Sequence, residues 1–209
     1  RKNSHWKRFI YKFFIMSYRT EEKFTINSSR LIEFKDSLFL KGAKILFPKR
    51  KIESLYLDNS NYQMYRDSIE GSLPRKKIRI RNYKDGTYFQ EVKISSTEGR
   101  FKTSNQIKEE RKSEIKKIGL FDDMYGACKP VLFVQYEREY FKFKDFRVTI
   151  DNEIRYFSHQ NKFLGLETHP VIELKASVEK SLNELMIDFP YPRTRFSKYS
   201  NGIEKLLIK

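Results

Sequence analysis

The sequence is poor in the residues that build thiol and imidazole sites. It has one cysteine, Cys128, and three histidines among 209 residues. A single cysteine excludes a disulfide framework, and so small a set of thiol and imidazole ligands excludes a zinc site of the cysteine and histidine type. A chain with one thiol also suits a reducing compartment, so we expect a cytoplasmic protein.

Long apolar runs are also missing. No stretch approaches the roughly 18 consecutive apolar residues of a membrane-spanning helix, and the run FFIM at 13–16 is too short for a signal-peptide core. Residues 1–17 form a separate basic segment with aromatic residues at helical spacing. This segment is predicted to be a helix packed on the domain or a leader ahead of Met16. The alternative is an amphipathic helix on an anionic membrane surface or membrane protein.

Positive charge is abundant. Lysine and arginine number 43 against 27 aspartate and glutamate, which gives a formal net charge of +16. With 39% hydrophobic and 15% aromatic residues the chain can still build a core, so wholesale disorder is excluded. The excess charge indicates a polyanionic partner, which is a nucleic acid, an acidic membrane or a phosphate-rich molecule.

The pattern predicts one α+β domain over residues 18–209 with an antiparallel sheet. Helices are predicted at 28–47, 61–69, 105–118 and within the last 30 residues. Strands are predicted at 18–26, 51–58, 75–84, 87–95, 131–143, 146–157 and 170–176, and Asp85-Gly86 is a hairpin signal between two of them.

Several of these strands carry basic residues at alternate positions, so each presents a cationic face. Arg75, Lys77, Arg79 and Arg81 are the longest such row. If these faces point outward, they form a surface for nucleic acid. If they point inward around a closed sheet, they line a channel for a polyphosphate chain. The row at 75–81 has no aromatic residue for base stacking, which counts against nucleic acid.

Eight short motifs resemble, in the same order, those of the VTC domain, the polyphosphate polymerase branch of the CYTH-like triphosphate tunnel metalloenzyme superfamily. They are YRTEEKF at 18–24, KIESLYLD at 51–58, LPRKKIRIR at 73–81, EVK at 91–93, YER at 136–138, FRVTID at 146–151, VIELK at 171–175 and FSKY at 196–199. The resemblance implies an antiparallel β-barrel, the triphosphate tunnel fold, with flanking helices.

The resemblance also implies roles for individual residues. The catalytic residues that line the tunnel would be Lys23, Arg79, Arg81, Lys93, Arg138, Arg147 and Lys198. Further phosphate-binding residues would be Lys77, Lys102, Lys175 and Arg195. Glu173 matches the metal-binding glutamate of the family, whereas Glu21 and Glu91 either help to hold the metal or pair with neighbouring bases. Arg19 replaces the first glutamate of the common E-x-E-x-K pattern, which implies fewer acidic ligands.

The implied reaction is transfer of the γ-phosphoryl group of ATP to a growing inorganic polyphosphate chain. The lack of cysteine and histidine ligands favours Mg²⁺ or Mn²⁺ as the cofactor. The expected partners are ATP and inorganic polyphosphate, and nucleic acid is not expected. Two alternatives stay open, a tunnel hydrolase of inorganic or nucleoside triphosphate and a non-catalytic module that binds polyphosphate.

Overall fold

A computed structural model describes residues 15–16, 19–83, 86–177 and 187–208. Except for residues 15–16, the basic segment at 1–17 lies outside these ranges, so its predicted helix and membrane contact stay predictions. None of the described helices has the length and apolar content needed to span a bilayer.

One large antiparallel sheet dominates the fold. Its strands are β1 (Ile15–Met16), β2 (Arg19–Thr25), β3 (Lys44–Asp58), β4 (Arg75–Asn82), β5 (Tyr88–Ser96), β6 (Gly99–Ile107), β7 (Leu120–Asp122), β8 (Gly126–Phe143), β9 (Phe146–Ser158), β10 (Phe163–Leu166) and β11 (Val171–Ser177). The main path runs β1-β6-β5-β4-β3-β8-β9-β11-β2, while β7 pairs with β8 and β10 with β9.

The sheet curls into a half-barrel. The two ends of its path, β1 and β2, are separated by only two residues in the sequence. The Arg100 Nη1 atom on β6 lies 3.7 Å from the Glu21 Oε2 atom on β2, so side chains near opposite ends of the path meet. The curl gives the sheet a concave inner face and a convex outer face, and it confirms the predicted fold class.

Within the described ranges the α-helices that flank the sheet are α1 (Leu31–Leu40), α2 (Gln63–Glu70), α3 (Glu109–Ile118) and α4 (Lys198–Leu207). Phe34 and Leu38 of α1 share an apolar cluster with Phe24, Ile172 and Leu174, which are on the outer face of β2 and β11. Because side chains alternate along a strand, burying these apolar residues outside turns their polar neighbours inward.

The helix predicted at 28–47 is too long. It ends at Leu40, and Gly42 has a φ of 90°, which a helix does not continue through. Lys44 then starts β3, which pairs with β8 from Lys44 to Asp58 and includes Pro48. The apolar spacing of residues 31–45 imitated a helix, but long-range pairing with β8 decides the structure.

The sequence pattern missed several strands, the longest of which lies between the predicted strand at 87–95 and the predicted helix at 105–118. Residues 99–107 form β6, which pairs with β5 over its whole length. Its sequence GRFKTSNQI is polar and has little apolar alternation, because much of it faces solvent or the concave side. The helix predicted at 105–118 accordingly begins only at Glu109.

Candidate functional site

Ten of the eleven predicted basic residues share the concave face of the sheet. Strand register places nine of them there, because cross-strand partners lie on one face of an antiparallel pair, and α4 supplies the tenth, Lys198. Lys77 pairs with Lys93, which pairs with Lys102, and Lys175 pairs with Arg147. The full set is Lys23, Lys77, Arg79, Arg81, Lys93, Lys102, Arg138, Arg147, Lys175 and Lys198. Among the described residues four acids accompany them: Glu21, Glu91, Asp151 and Glu173.

Glu91 holds the cations of β4 and β6 together. Its Oε2 atom accepts hydrogen bonds from Arg79 at 2.5 and 2.7 Å, and its Oε1 atom lies 2.5 Å from the Lys102 ammonium. Burial alone would raise the pKa of Glu91, but Arg79, Arg81 and Lys102 lower it far below its usual range. Both oxygens are therefore occupied, which makes Glu91 a positioning group for arginine and lysine.

Asp151 plays the same part on the other side of the face. Arg138 donates to its two oxygens at 2.5 and 2.6 Å, and Lys198 donates to Oδ2 as well. Lys198 belongs to α4, so this carboxylate joins the sheet to the C-terminal helix. Burial would raise the pKa of Asp151, yet these two cations lower it, and the carboxylate stays ionised.

Glu173 and Glu21 form a third acidic group around Lys175. The Lys175 ammonium lies 2.7 Å from Glu21 and 3.0 Å from Glu173. Burial opposes ionisation of Glu173, but Lys175, Lys23 and Arg138 lower its pKa well below the usual value. The pKa of Glu21 is also lowered, chiefly by Lys175 acting against burial. These two carboxylates are ionised oxygen donors with one cation between them.

Two lysines on this face have unusually low pKa values. Desolvation inside the curled sheet, with Arg79 and Lys175 nearby, lowers the pKa of Lys93 to about 7. Desolvation and the charges of Lys23 and Arg75 lower that of Lys77 to about 8. The Lys93 side chain is itself exposed, so water reaches this part of the concave face.

The two ends of the concave face differ in chemistry. At the end where β4 and β8 finish, register brings in four aromatic rings, in two pairs. Phe47 and Tyr140 have ring centroids 5.6 Å apart, and those of Tyr83 and Phe89 are 5.8 Å apart. At the opposite end α4 packs against the sheet, and Lys77 donates a 2.9 Å hydrogen bond to Ser197.

Two of the predicted site residues stand apart from these networks. Arg195 is exposed and makes no recorded contact with the concave face. Arg147 is on the face, but it has no ion pair within the described residues, and its buried Nε atom has no hydrogen-bond partner.

Sequence reasoning missed two members of the site. Asp151 ends the FRVTID motif, and Tyr136 begins the YER motif, but neither received a role. The Tyr136 hydroxyl accepts a 2.9 Å hydrogen bond from Arg81, and its ring centroid lies 4.5 Å from the Lys198 ammonium. The spacing could have identified them. Tyr136 lies two residues before Arg138, and Asp151 alternates with Arg147 and Thr149, so each shares a strand face with a predicted site residue. His159 and His169 are exposed and outside this cluster.

Comparisons with solved structures show what this fold is similar to. A candidate adenylate cyclase from Bacillus halodurans has a TM-score of 0.62 and 11% identity, and the match covers 87% of this chain and 96% of that one. A candidate adenylate cyclase from Vibrio parahaemolyticus has a TM-score of 0.59 and 12% identity, covering 90% and 98%.

A third neighbour is a candidate adenylyl cyclase from Hippeastrum that is described as having a dominant triphosphatase activity. Its TM-score is 0.55 at 14% identity, and the match covers 88% of this chain and 94% of that one. At such identities the likeness shows a shared fold. No curated protein matches the sequence significantly.

The family comparison agrees with the fold and with the motifs. The profile of the VTC domain matches residues 18–207, which is nearly the whole chain. This range contains all eight motifs and every residue of the cation-lined concave face. The chain therefore belongs to the VTC domain family of triphosphate tunnel proteins.

Proposed function

We propose that this protein is a polyphosphate polymerase that transfers the γ-phosphoryl group of ATP to inorganic polyphosphate. The observation that carries the proposal is the concave face itself, with ten basic and four acidic side chains. Its net positive charge suits a chain of phosphates, since each phosphate oxygen accepts charge-assisted hydrogen bonds from arginine or lysine.

The same face favours phosphoryl transfer between phosphates over hydrolysis. In the transfer, an anionic terminal oxygen of polyphosphate attacks the γ-phosphorus of ATP. The bond from that phosphorus to the β–γ bridging oxygen breaks, and ADP leaves. No proton has to be removed, whereas attack by water is helped by a general base. All four carboxylates of the face are bonded to cations and ionised at low pKa, which makes them weak bases.

The cations would do the catalytic work by position and charge. Arg79 and Arg138 are fixed by Glu91 and Asp151, so each guanidinium is oriented before the substrate arrives. Charge that develops on the transferred phosphoryl oxygens meets cations that need little reorganisation. Arg147, which has no ion pair within the described residues, would pair with the phosphate chain.

Glu173 and Glu21 are the residues that would hold a divalent metal. They fit Mg²⁺ or Mn²⁺ because both are ionised oxygen donors, and Mg²⁺ is commonly held by one or two carboxylates and substrate phosphates. Within the described ranges no group of three acidic, histidine or cysteine side chains could form a fuller cage. The metal would neutralise phosphate charge, and Lys175 would move from between the two carboxylates. Glu91 fits less well, because both its oxygens are engaged.

The aromatic end of the face suggests the orientation of the donor. Phe47, Tyr83, Phe89 and Tyr140 offer flat π surfaces next to Arg81 and Arg138, on which the base of ATP could stack. The triphosphate would then extend inward over the cations, towards α4. Polyphosphate, which has no ring, would occupy the purely cationic part.

The experiment that tests the proposal is incubation of the protein with ATP and Mn²⁺. A polymerase yields long polyphosphate and ADP. A tunnel triphosphatase, which is the alternative that the Hippeastrum neighbour suggests, yields orthophosphate. We expect Arg79→Ala and Arg81→Ala each to abolish polymer synthesis. Arg155→Ala is the matched control, because Arg155 is exposed on the outer face of β9.

Two results would contradict the proposal. Polymer yields equal to the parent in both tunnel variants would show that the concave face is not the site. Salt-sensitive polyphosphate binding without any turnover, unchanged in Glu173→Gln, would identify a binding module instead.

A further inference from the structure

A second cleft, of about 420 Å³, lies on the outer face of the sheet. Strands β3, β4 and β8 form its floor, and α3 and the turn after β9 form its walls. Because side chains alternate along each strand, this cleft shares strands with the cation-lined face but no side chains. Nothing in the proposed reaction uses it.

Half of the floor is a polar row centred on a carboxylate. Strand register aligns Asn82, Glu53 and Gln135 across three strands. Glu53 accepts hydrogen bonds from Gln135 at 3.2 Å and from Asn82 at 3.4 Å. These amides fix the orientation of the carboxylate, whose remaining lone pairs can accept hydrogen bonds from a ligand.

The other half of the floor is an apolar row. Ile80, Leu55, Phe133 and Phe157 are cross-strand partners on β4, β3, β8 and β9. The rings of Phe133 and Phe157 are 6.1 Å apart. An apolar strip beside a carboxylate suits an aromatic ring whose edge carries N–H donors.

The wall formed by α3 adds positive charge. Lys112 and Lys116 are one helical turn apart and both border the cleft. The Lys112 ammonium lies 4.4 Å from the Tyr88 ring centroid and 2.8 Å from Glu109, whereas Lys116 is exposed and has no ion pair within the described part of the chain. Two lysines at this spacing suit the phosphates of a ligand.

We propose that this outer cleft binds a guanine nucleotide. Guanine presents two adjacent N–H donors, on N1 and N2, that match the two oxygens of Glu53. Adenine offers a single amino group beside a ring acceptor, which would face a carboxylate oxygen without a proton between them. The base would cover the apolar row, and the phosphates would reach Lys112 and Lys116. The volume is within the range of small-molecule sites.

A nucleotide in this cleft would contact the outer side of the strands that carry the proposed catalytic arginines. Ile80 lies between Arg79 and Arg81, and Leu55 lies between Ser54 and Tyr56, in sequence. One layer of backbone thus separates the two sites, so a ligand in the cleft is placed to alter how those arginines are held.

The test is calorimetric binding of GDP to the full chain whose concave face has been saturated with inorganic tripolyphosphate. We expect GDP to bind at least tenfold more tightly than ADP. Glu53→Gln should remove this preference, and Lys112→Ala with Lys116→Ala should weaken GDP binding at least tenfold. Lys108→Ala with Lys117→Ala is the matched control, since these lysines lie on α3 or next to it but do not border the cleft.

Three results would overturn the proposal. They are no GDP binding to the saturated protein, equal affinity for GDP and ADP, and unchanged GDP affinity in Glu53→Gln. If tripolyphosphate displaces GDP, the saturated protein shows no GDP binding, and the nucleotide site is the concave face instead. Polymer synthesis is assayed separately, so failure here leaves the proposed function untouched.

Discussion

At the level of single residues, the site depends on how acids and bases are matched. Arg79 and Arg138 are each paired with a carboxylate, Glu91 or Asp151, which fixes the guanidinium but also neutralises part of its charge. Lys93 and Arg147 have no such partner within the described ranges. Fixed arginines orient a phosphate chain, whereas unpaired cations supply the net attraction for it.

Lys93 and Lys77 should make phosphate binding depend on pH. Their pKa values of about 7 and about 8 mean that both lose protons as the pH rises through this range. A bound polyanion favours the charged ammonium, so binding should take up protons near pH 8 and weaken as the pH rises further. Calorimetry of tripolyphosphate binding in buffers of different ionisation enthalpy measures the proton uptake.

Lys93→Met should reduce that uptake, while Lys142→Met, at an exposed position, should not change it. The stability of the unliganded protein should instead rise with pH. The pKa of Lys93 is about 7 when folded against 10.5 for the free side chain, so between these values the unfolded chain binds more protons. Its contribution to the free energy of unfolding therefore rises with pH in that window. Equal proton uptake in the parent protein and in Lys93→Met would show that Lys93 does not gain a proton when tripolyphosphate binds.

At the level of elements, α4 is the piece that completes the site from outside the sheet. It brings Lys198 to Asp151, and its Tyr199 donates a hydrogen bond to Asp58 on β3. Gly202 lets the helix approach closely, because a Cβ atom there would lie 2.4 Å from Leu132 and 2.8 Å from Tyr156. The close packing of α4 therefore also fixes the position of Lys198.

Gly202→Ala should destabilise the protein although alanine is the better helix former. Alanine gains up to about 1 kcal/mol of helix propensity, but overpacking against Leu132 and Tyr156 costs about 1–3 kcal/mol. We expect a net loss of about 1–2 kcal/mol in the free energy of unfolding and weaker tripolyphosphate binding. Denaturant titration and calorimetry measure the two effects.

Asn201→Ala is the control on the same helix. Asn201 is half-buried and makes only a 3.5 Å hydrogen bond to Glu167, so its replacement should change stability by less than about 0.5 kcal/mol. If Gly202→Ala were as stable as this control, α4 would not be held by close packing.

At the level of the whole molecule, the net charge of +16 has two parts. Ten bases and four acids on the concave face form the site, and the remaining excess lies elsewhere, including α3. A charge inside an enclosed face is screened little by salt, whereas exposed charges are screened within about 10 Å at ordinary ionic strength. The two parts should therefore act on different steps of binding.

Arg147→Ala should mainly speed dissociation of tripolyphosphate, by about tenfold, because it removes an inner contact. It should cost little stability, since Arg147 leaves no carboxylate behind. Lys108→Gln with Lys117→Gln should instead slow association and flatten its salt dependence. Stopped-flow kinetics at two salt concentrations separates the rates. An equal effect of both changes on dissociation would contradict this division.

Much of the concave face could be predicted from the sequence, since alternation fixes which residues share a face of a strand. Arg79 and Arg81 share a face of any strand that contains both, and the ordered motifs indicated the family. Local pattern failed where pairing partners were distant. Residues 44–50 have apolar spacing typical of a helix, but they form a strand because β8 supplies their hydrogen bonds.

The sequence by itself determined that several strands carry one basic and one apolar face, because alternation is a property of the extended backbone. Only the tertiary structure decided which face is concave. Packing of α1 on Phe24 and Ile172 turns the apolar residues outward, and the curl then encloses the cations. The same long-range contacts decided that Glu91 and Asp151 hold arginines in place, since an ion pair depends on distances that no local pattern sets.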